Sequence, residues 1–286
     1  MRYQKIIKTK QRTTRLLWSL TILILGLALS GWVSPAGAQG RVELCGEDIF
    51  REDGIYRLRG HRTCSDNTIL LIEQAGAEFD LRGFKATGNG ENTGILIKAN
   101  YVTIIGGTFK NCDTALYVNK FNYCEIEKFK AINSSGDAIK MRGDDNVIVK
   151  SLCLKAGNDC FQLRGNRNTA EWCTAIKHGT KGSGQGIQFR GPGDAYKCSV
   201  INGGGEGFQI QEDVSDVSIE RCLAIKNAKG GIEIKVGATG NFIEHNIAFA
   251  NGDGIDFLDL IDENGDCDDN TWKRNKFRSS NPLCIK

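Results

Sequence analysis

From Ser135 to Gln211 the chain repeats one arrangement of small, polar and apolar positions. The phrases SGDAIKMR, GNDCFQLR, GQGIQFRG and GEGFQIQE each run small, polar or acidic, small, then apolar, polar, apolar. Their apolar anchors are Ile139, Phe161, Ile187 and Phe208, spaced 22, 26 and 21 residues apart. The phrase recurs earlier as Gly94-Ile95-Leu96-Ile97 and Ala115-Leu116-Tyr117-Val118, and later as Gly231-Ile232-Glu233-Ile234 and Gly254-Ile255-Asp256-Phe257. Alternation with a period of two predicts short strands inside each repeat. A repeat of this length predicts a solenoid, because one unit cannot bury its apolar side alone and must stack on its neighbours.

Roughly 23 residues per turn accommodate three strands and three bends. On these repeats, over roughly residues 68 to 280, the chain resembles the right-handed parallel β-helix proteins of the pectate-lyase-like superfamily. The resemblance implies an all-β, single-stranded right-handed parallel β-helix of eight or more rungs. It leaves the activity open, since one fold carries many functions.

The amino terminus gives the domain plan. Arg2, Lys5, Lys8, Lys10, Arg12 and Arg15 precede an apolar run from Leu16 to Val33 and the sequence Pro35-Ala36-Gly37-Ala38. That order predicts a Sec signal peptide over 1–38, with an uncleaved anchor as the competing reading. An N-terminal cap over 39–67 and the β-helix over 68–286 follow, and the expected location is secreted, periplasmic or cell-surface. Removing 1–38 changes the charge. Six of the 37 basic residues and none of the 34 acidic ones lie there, so the overall +3 becomes 31 basic against 34 acidic. The exported part therefore offers no electrostatic case for nucleic acid, and no membrane contact is expected after cleavage.

All eleven cysteines fall in that part. Cys45 with Cys64 and Cys267 with Cys284 bracket its two ends and could tie caps over them. Such caps discourage pairing of the end rungs with another chain, so a monomer is expected. Cys153, Cys173, Cys198 and Cys222 each follow an anchor by 11 to 14 residues and are expected to stack as one buried column. A straight column cannot give four sulfurs a tetrahedral arrangement, which argues against zinc. Asn100, Asn122, Asn146, Asn168, Asp194, Asp216 and Asn241 are expected to form a second, structural column at a bend.

Candidate chemistry lies on the central rungs. Two residues before the anchors stand Asp137, Asp159, Gln185 and Glu206; three after stand Arg142, Arg164 and Arg190; one after stand Lys140, Gln162, Gln188 and Gln209. Carboxylate, amide and arginine rows side by side suit an extended, acidic, hydroxylated polymer. The competing reading is a solvated charge ladder. The closest phrases resemble those of polygalacturonase-like hydrolases: Ser135-Gly136-Asp137 for N-T-D, Gly157-Asn158-Asp159-Cys160 for G-D-D-C, Gly184-Gln185-Gly186 for G-H-G and Glu233-Ile234-Lys235 for R-I-K. Asn158, Gln185 and Glu233 replace that family's acid, histidine and arginine, so only Asp137 and Asp159 carry over.

The expectation is thus binding of an acidic, uronic-acid polysaccharide. Asp137, Asp159 and Glu206 are the candidates for cleavage or epimerisation, and the loop residue His178 is a further candidate for this face. The alternative is a non-catalytic surface or matrix rod. No cofactor is required. The acidic stretch carrying Asp262, Asn264, Asp266 and Asp268 suits calcium by its alternating oxygens, against an acidic, disulfide-tied cap as the competing reading.

Overall fold

The computed structural model describes residues 40–49, 54–182, 184–252, 258–267 and 269–285. The expected signal peptide lies outside them. Residues 40–286 form one compact unit, a parallel β-helix in which each turn contributes one strand to each of three faces. On the front face the anchors stack in register as Leu70, Ile95, Leu116, Ile139 and Phe161. The column continues through Ile187, Phe208, Ile232 and Leu260. Seven of the repeat anchors read from the sequence are therefore correct. The eighth is not: Ile232 pairs with Leu260 rather than Ile255, so the last turn is longer than the spacing of the phrases suggests.

The ends differ from the middle. Val42–Leu44 runs antiparallel along Thr68–Ile72 and closes the first rung, while parallel pairing already begins at Ile55, against Glu78. The expected end disulfides Cys45–Cys64 and Cys267–Cys284 are present. Inside, side chains of like kind stack along the axis. Phe84, Phe109 and Phe129 make successive ring contacts at 5.9 and 5.4 Å. Phe161, Phe189 and Phe208 are fully buried. Strand alternation turns half of each turn's strand residues inward, and the stack makes those halves continuous.

Two bend columns correct the sequence expectation. The asparagines divide between two positions two residues apart. Asn100, Asn122 and Asp144 receive the backbone N–H of the next rung on one line. On the other, Asn146 accepts from Cys124 N and Asn168 from Asn146 N, and further along Asn241 accepts from Val217 N. Asp194 lies in a strand opposite Thr169. Asparagine serves either line because its amide replaces a backbone partner in either bend.

The cysteine column is likewise shorter than expected. Cys173, Cys198 and Cys222 stack, buried and unbridged. Cys153 instead occupies the strand position opposite Ala175 and bridges Cys160. This disulfide crosses the interior from the third face to the front face, one residue from Asp159. Replacing both Cys153 and Cys160 by alanine is expected to lower unfolding free energy by about 2–3 kcal/mol, the loop-closure value for so short a separation. A denaturation midpoint equal to that of the parent protein would rule the bond out as a support.

Candidate functional site

The central front-face rungs bring the predicted rows together. Ile139 opposite Phe161 and Phe161 opposite Ile187 place Arg142, Arg164 and Arg190 in one line. Lys140, Gln162, Gln188, Gln209 and Glu233 form a parallel line beside it. Strand alternation turns this second line away from the apolar interior. Even so, Gln162, Gln188, Gln209 and Glu233 are nearly inaccessible.

The reason is a closed hydrogen-bond network. Asn158 Nδ2 donates to Asp137 Oδ1 at 2.5 Å, and Lys140 Nζ meets Asp137 Oδ2 at 2.8 Å. Gln162 Nε2 donates to both Asp137 and Asp159, at 3.3 and 3.1 Å. The backbone N–H of Gln185 donates to Asp159 Oδ1 at 2.8 Å, and its side-chain amide to Glu206 Oε2 at 2.8 Å. Gln188 bridges Gln185 and Gln209, and Gln209 reaches Glu233. Lys229 and Lys235 pair with Glu206 and Glu233. The amide row expected to face a ligand is therefore largely spent on orienting the carboxylates. Sequence gives the positions and cannot give this mutual satisfaction, which depends on side-chain reach across rungs.

Electrostatics separates Asp159 from its neighbours. Its pKa is pushed up to about 6, first by burial and then by the charge on Asp137. The bonds from Gln185 N and Gln162 and the charge of Arg190 act the other way. Burial also raises Glu233, helped by Glu206 and opposed by Gln209 and Lys235. Asp159 is thus a carboxyl that changes protonation close to neutral pH, held between two hydrogen-bond donors.

The arginine row is the accessible side of the site. Arg164 and Arg190 are exposed, and Arg190 Nε donates to Gln188 Oε1. Arg142 lies with its guanidinium carbon 5.5 Å from the centre of the Tyr117 ring, and its Nε is buried without a hydrogen-bond partner. A buried guanidinium N–H left unpaired is costly, so the position favours an incoming acceptor. Tyr117 escaped the sequence reading, although it falls on the same line one rung before Lys140. A polar cleft of about 490 Å³ adjoins the start of these strands, lined in part by Asn89, Ser135, Lys155, Thr180 and Lys181.

His178 does not join the site. Its ring is buried in a bend, with Nδ1 2.7 Å from Gly184 O and Nε2 3.2 Å from Asn227 Oδ1. Burial lowers its pKa against those two bonds and the charge of Glu206. On the next rung sits Gly203, where an added Cβ would fall 1.7 Å from His178 Nε2. The histidine is packing at a corner.

The proposed calcium ligands are also occupied. Asp262 stands opposite Ile234, at an interior position of the last rung. It accepts from Asn264 N and Nδ2, Asn270 Nδ2 and Trp272 Nε1. Asn264 donates to the carbonyls of Lys235 and Ala238. N–H donors around the Asp262 carboxylate do not suit a cation, so these two residues hold the cap. Asp268 and the side chain of Asp266 lie outside the described residues. Among the described residues no group of three His, Cys, Asp or Glu is placed to hold a metal.

Residues 93–277 match the family model described as "Right handed beta helix region". No curated protein matches the sequence significantly. Among solved structures, the pectate lyase Pel9A is 15% identical, with 86% of this chain and 72% of that one covered and a TM-score of 0.42. The mannuronan C-5 epimerase AlgE4 A-module of Azotobacter vinelandii is 10% identical, with 76% and 84% covered and a TM-score of 0.35. The Agl-KA catalytic domain is 9% identical, with 78% and 58% covered and a TM-score of 0.42. Likeness at this level assigns neither substrate nor reaction.

Proposed function

The chain belongs to the right-handed β-helix family, and from that premise we propose that it is an exported protein that binds an acidic, uronic-acid polysaccharide along the arginine row of its central rungs. The observation that carries this reading is the line of Arg142, Arg164 and Arg190 on consecutive rungs, with Arg142 Nε buried and unpartnered. Guanidinium groups match carboxylates in bidentate geometry, and one group per rung matches a polymer that repeats its charge at every sugar. Tyr117 supplies a ring beside Arg142 against which a sugar face can pack. Export agrees with three disulfides in one unit, since such bonds persist in oxidising compartments.

Titration calorimetry of the oxidised protein with polygalacturonate and alginate tests the reading. Arg142→Ala and Arg190→Ala are each expected to weaken binding roughly tenfold, the value of one charge-assisted pair lost. Equal affinity for a neutral glucan, or variants that bind as the parent does, would sink it.

One observation favours turnover as a second reading. Asp159 has the near-neutral pKa that a general acid or base requires. In that reading Asp159 exchanges the proton, the arginines neutralise the sugar carboxylate, and Asp137 positions Asp159 through Gln162. New ultraviolet absorbance would mark elimination, new reducing ends hydrolysis, and inverted sugars without either epimerisation. The closed pairing of Asp137 and Glu206 favours binding without turnover, which is why binding is placed first.

A further inference from the structure

The third face of the solenoid reverses the usual distribution of size between inside and outside. Its strands include Leu152–Ala156, Thr174–Ile176, Ser199–Ile201 and Leu223–Ile225. The inward positions hold small residues: Ala131, Cys153, Ala175, Val200, Ala224 and Ala248, all buried. The outward line in register holds the large ones: Ile132, Leu154, Ile176, Ile201, Ile225 and Phe249. Leu152, Leu223 and Ile247 add to it on the parallel outward line. Ile247 and Phe249 are 44% and 40% exposed. A strand position that faces solvent needs no large apolar side chain, so five half-buried aliphatic residues and a phenylalanine in one line mark a contact surface.

Lysines and arginines stand at both corners and at both ends of this face. At one corner stand Lys128, Lys150, Lys197, Arg221 and Arg274, each in the left-handed bend conformation that asparagine or glycine would enter at less cost. Lys155, Lys177 and Lys226 occupy the opposite corner in the same conformation. Lys110 and Lys130 precede the apolar line, and Lys276 and Arg278 follow it. Among the described residues no Asp or Glu falls on the outward lines or the two corners; the acidic residues beside the first corner, Glu127, which pairs with Lys128 and Lys150, and Glu171, Glu220 and Glu244 in register with it, belong to the neighbouring face. Trp172, half exposed, occupies the first corner under the Lys197 ammonium at 4.0 Å.

We infer that this third face is a peripheral docking surface for an anionic lipid bilayer, on which the solenoid lies lengthwise with its front face free. Aliphatic side chains enter the headgroup boundary, lysines and arginines meet lipid phosphates, and a corner tryptophan sits at the interface level. The sequence expectation is the opposite, no membrane contact after cleavage, and the test below decides between them. A second copy of the chain fits less well. Six rungs about 4.8 Å apart by two outward positions about 7 Å apart give an apolar strip on the order of 200–300 Å², well below the ~800 Å² per partner of a standard interface. Pairing two such faces would also press like-charged rims together. An acidic polysaccharide would use the rim and leave the aliphatic line without a role.

The test is co-sedimentation of the full chain with phosphatidylcholine vesicles and with vesicles of equimolar phosphatidylglycerol and phosphatidylcholine. The parent protein is compared with an Ile176→Glu/Ile225→Glu variant and with an Arg221→Glu/Lys226→Glu variant. All four positions point outward, and the comparison cancels any contribution of residues 1–39, which the three proteins share. Expected are binding to the phosphatidylglycerol vesicles that weakens with salt, and a loss of roughly tenfold or more in partitioning for each variant. If the first variant does not fold, the charge-reversal variant decides. Equal partitioning of parent and variants overturns the inference, as does absence of binding to either vesicle. A dimer in sedimentation equilibrium that Ile176→Glu/Ile225→Glu dissociates also overturns it, in favour of a second copy.

Discussion

Asp262→Ala is expected to lower unfolding free energy by about 4 kcal/mol, because it leaves the buried Asn264 N–H and the Trp272 indole N–H without an acceptor at once. The carboxylate stands at an interior position of the last rung and gathers Asn264 N and Nδ2, Asn270 Nδ2 and Trp272 Nε1. Trp272 packs opposite Ile243 at the end of the apolar stack, so its indole N–H needs a partner at a place water does not reach freely. The Cys267–Cys284 bond ties the same segment. Chemical denaturation reads the loss, and Asp262→Asn should recover part of it, since one oxygen remains to accept. A chelator should leave the parent protein unchanged if the carboxylate serves these donors. A chelator-sensitive midpoint, with Asp262→Ala near the parent value, would return the residue to a cation.

That position also shows what the sequence could and could not tell. The acidic run around Asp262 has the alternation of a calcium loop, and only the register of the last rung shows Asp262 turned inward beneath Ile234. The register was legible wherever anchors recur at even spacing, from Ile95 to Ile232, and was lost where the final turn lengthens to Leu260. Bends were harder to read. Left-handed residues are usually Gly, Asn or Asp, whereas this chain places Tyr101, Tyr123 and Arg167 in the bend that the two asparagine lines flank, and Lys150, Trp172, Lys197 and Arg221 in the next, so these corners carry no familiar signal. The rows of the front face were correctly located, because a period of two fixes which side chains share a face. Their mutual hydrogen bonding was not, and neither was the apolar third face, whose Ile and Leu residues look like core until strand alternation places the alanines inside.

Stability of the parent protein is expected to fall by up to about 3 kcal/mol between pH 4 and 7 through Asp159 alone, and the fall should vanish in Asp159→Asn. The carboxyl moves from its ordinary 3.8 to about 6 in the folded protein, chiefly through burial and then through the charge of Asp137. Between those values the folded state holds a proton that the unfolded state has released. Stability therefore declines as pH rises through the window, is level above it, and is fully restored below it. A displacement of this size corresponds to about 3 kcal/mol. Asparagine keeps an oxygen for the Gln185 N–H and carries no charge to desolvate, so the variant should equal or exceed the parent above pH 6. Glu233 is raised by burial as well and persists in both proteins, so the difference between their stability curves isolates Asp159. A difference that stays constant from pH 4 to 7 would mean that the ionised carboxylate sits at no cost. The same titration separates the two functional readings. If the protein turns over its polymer, kcat/KM should bend near pH 6 in the parent and collapse in Asp159→Asn. If it only binds, affinity should survive the substitution, since the arginine row that meets the polymer is untouched.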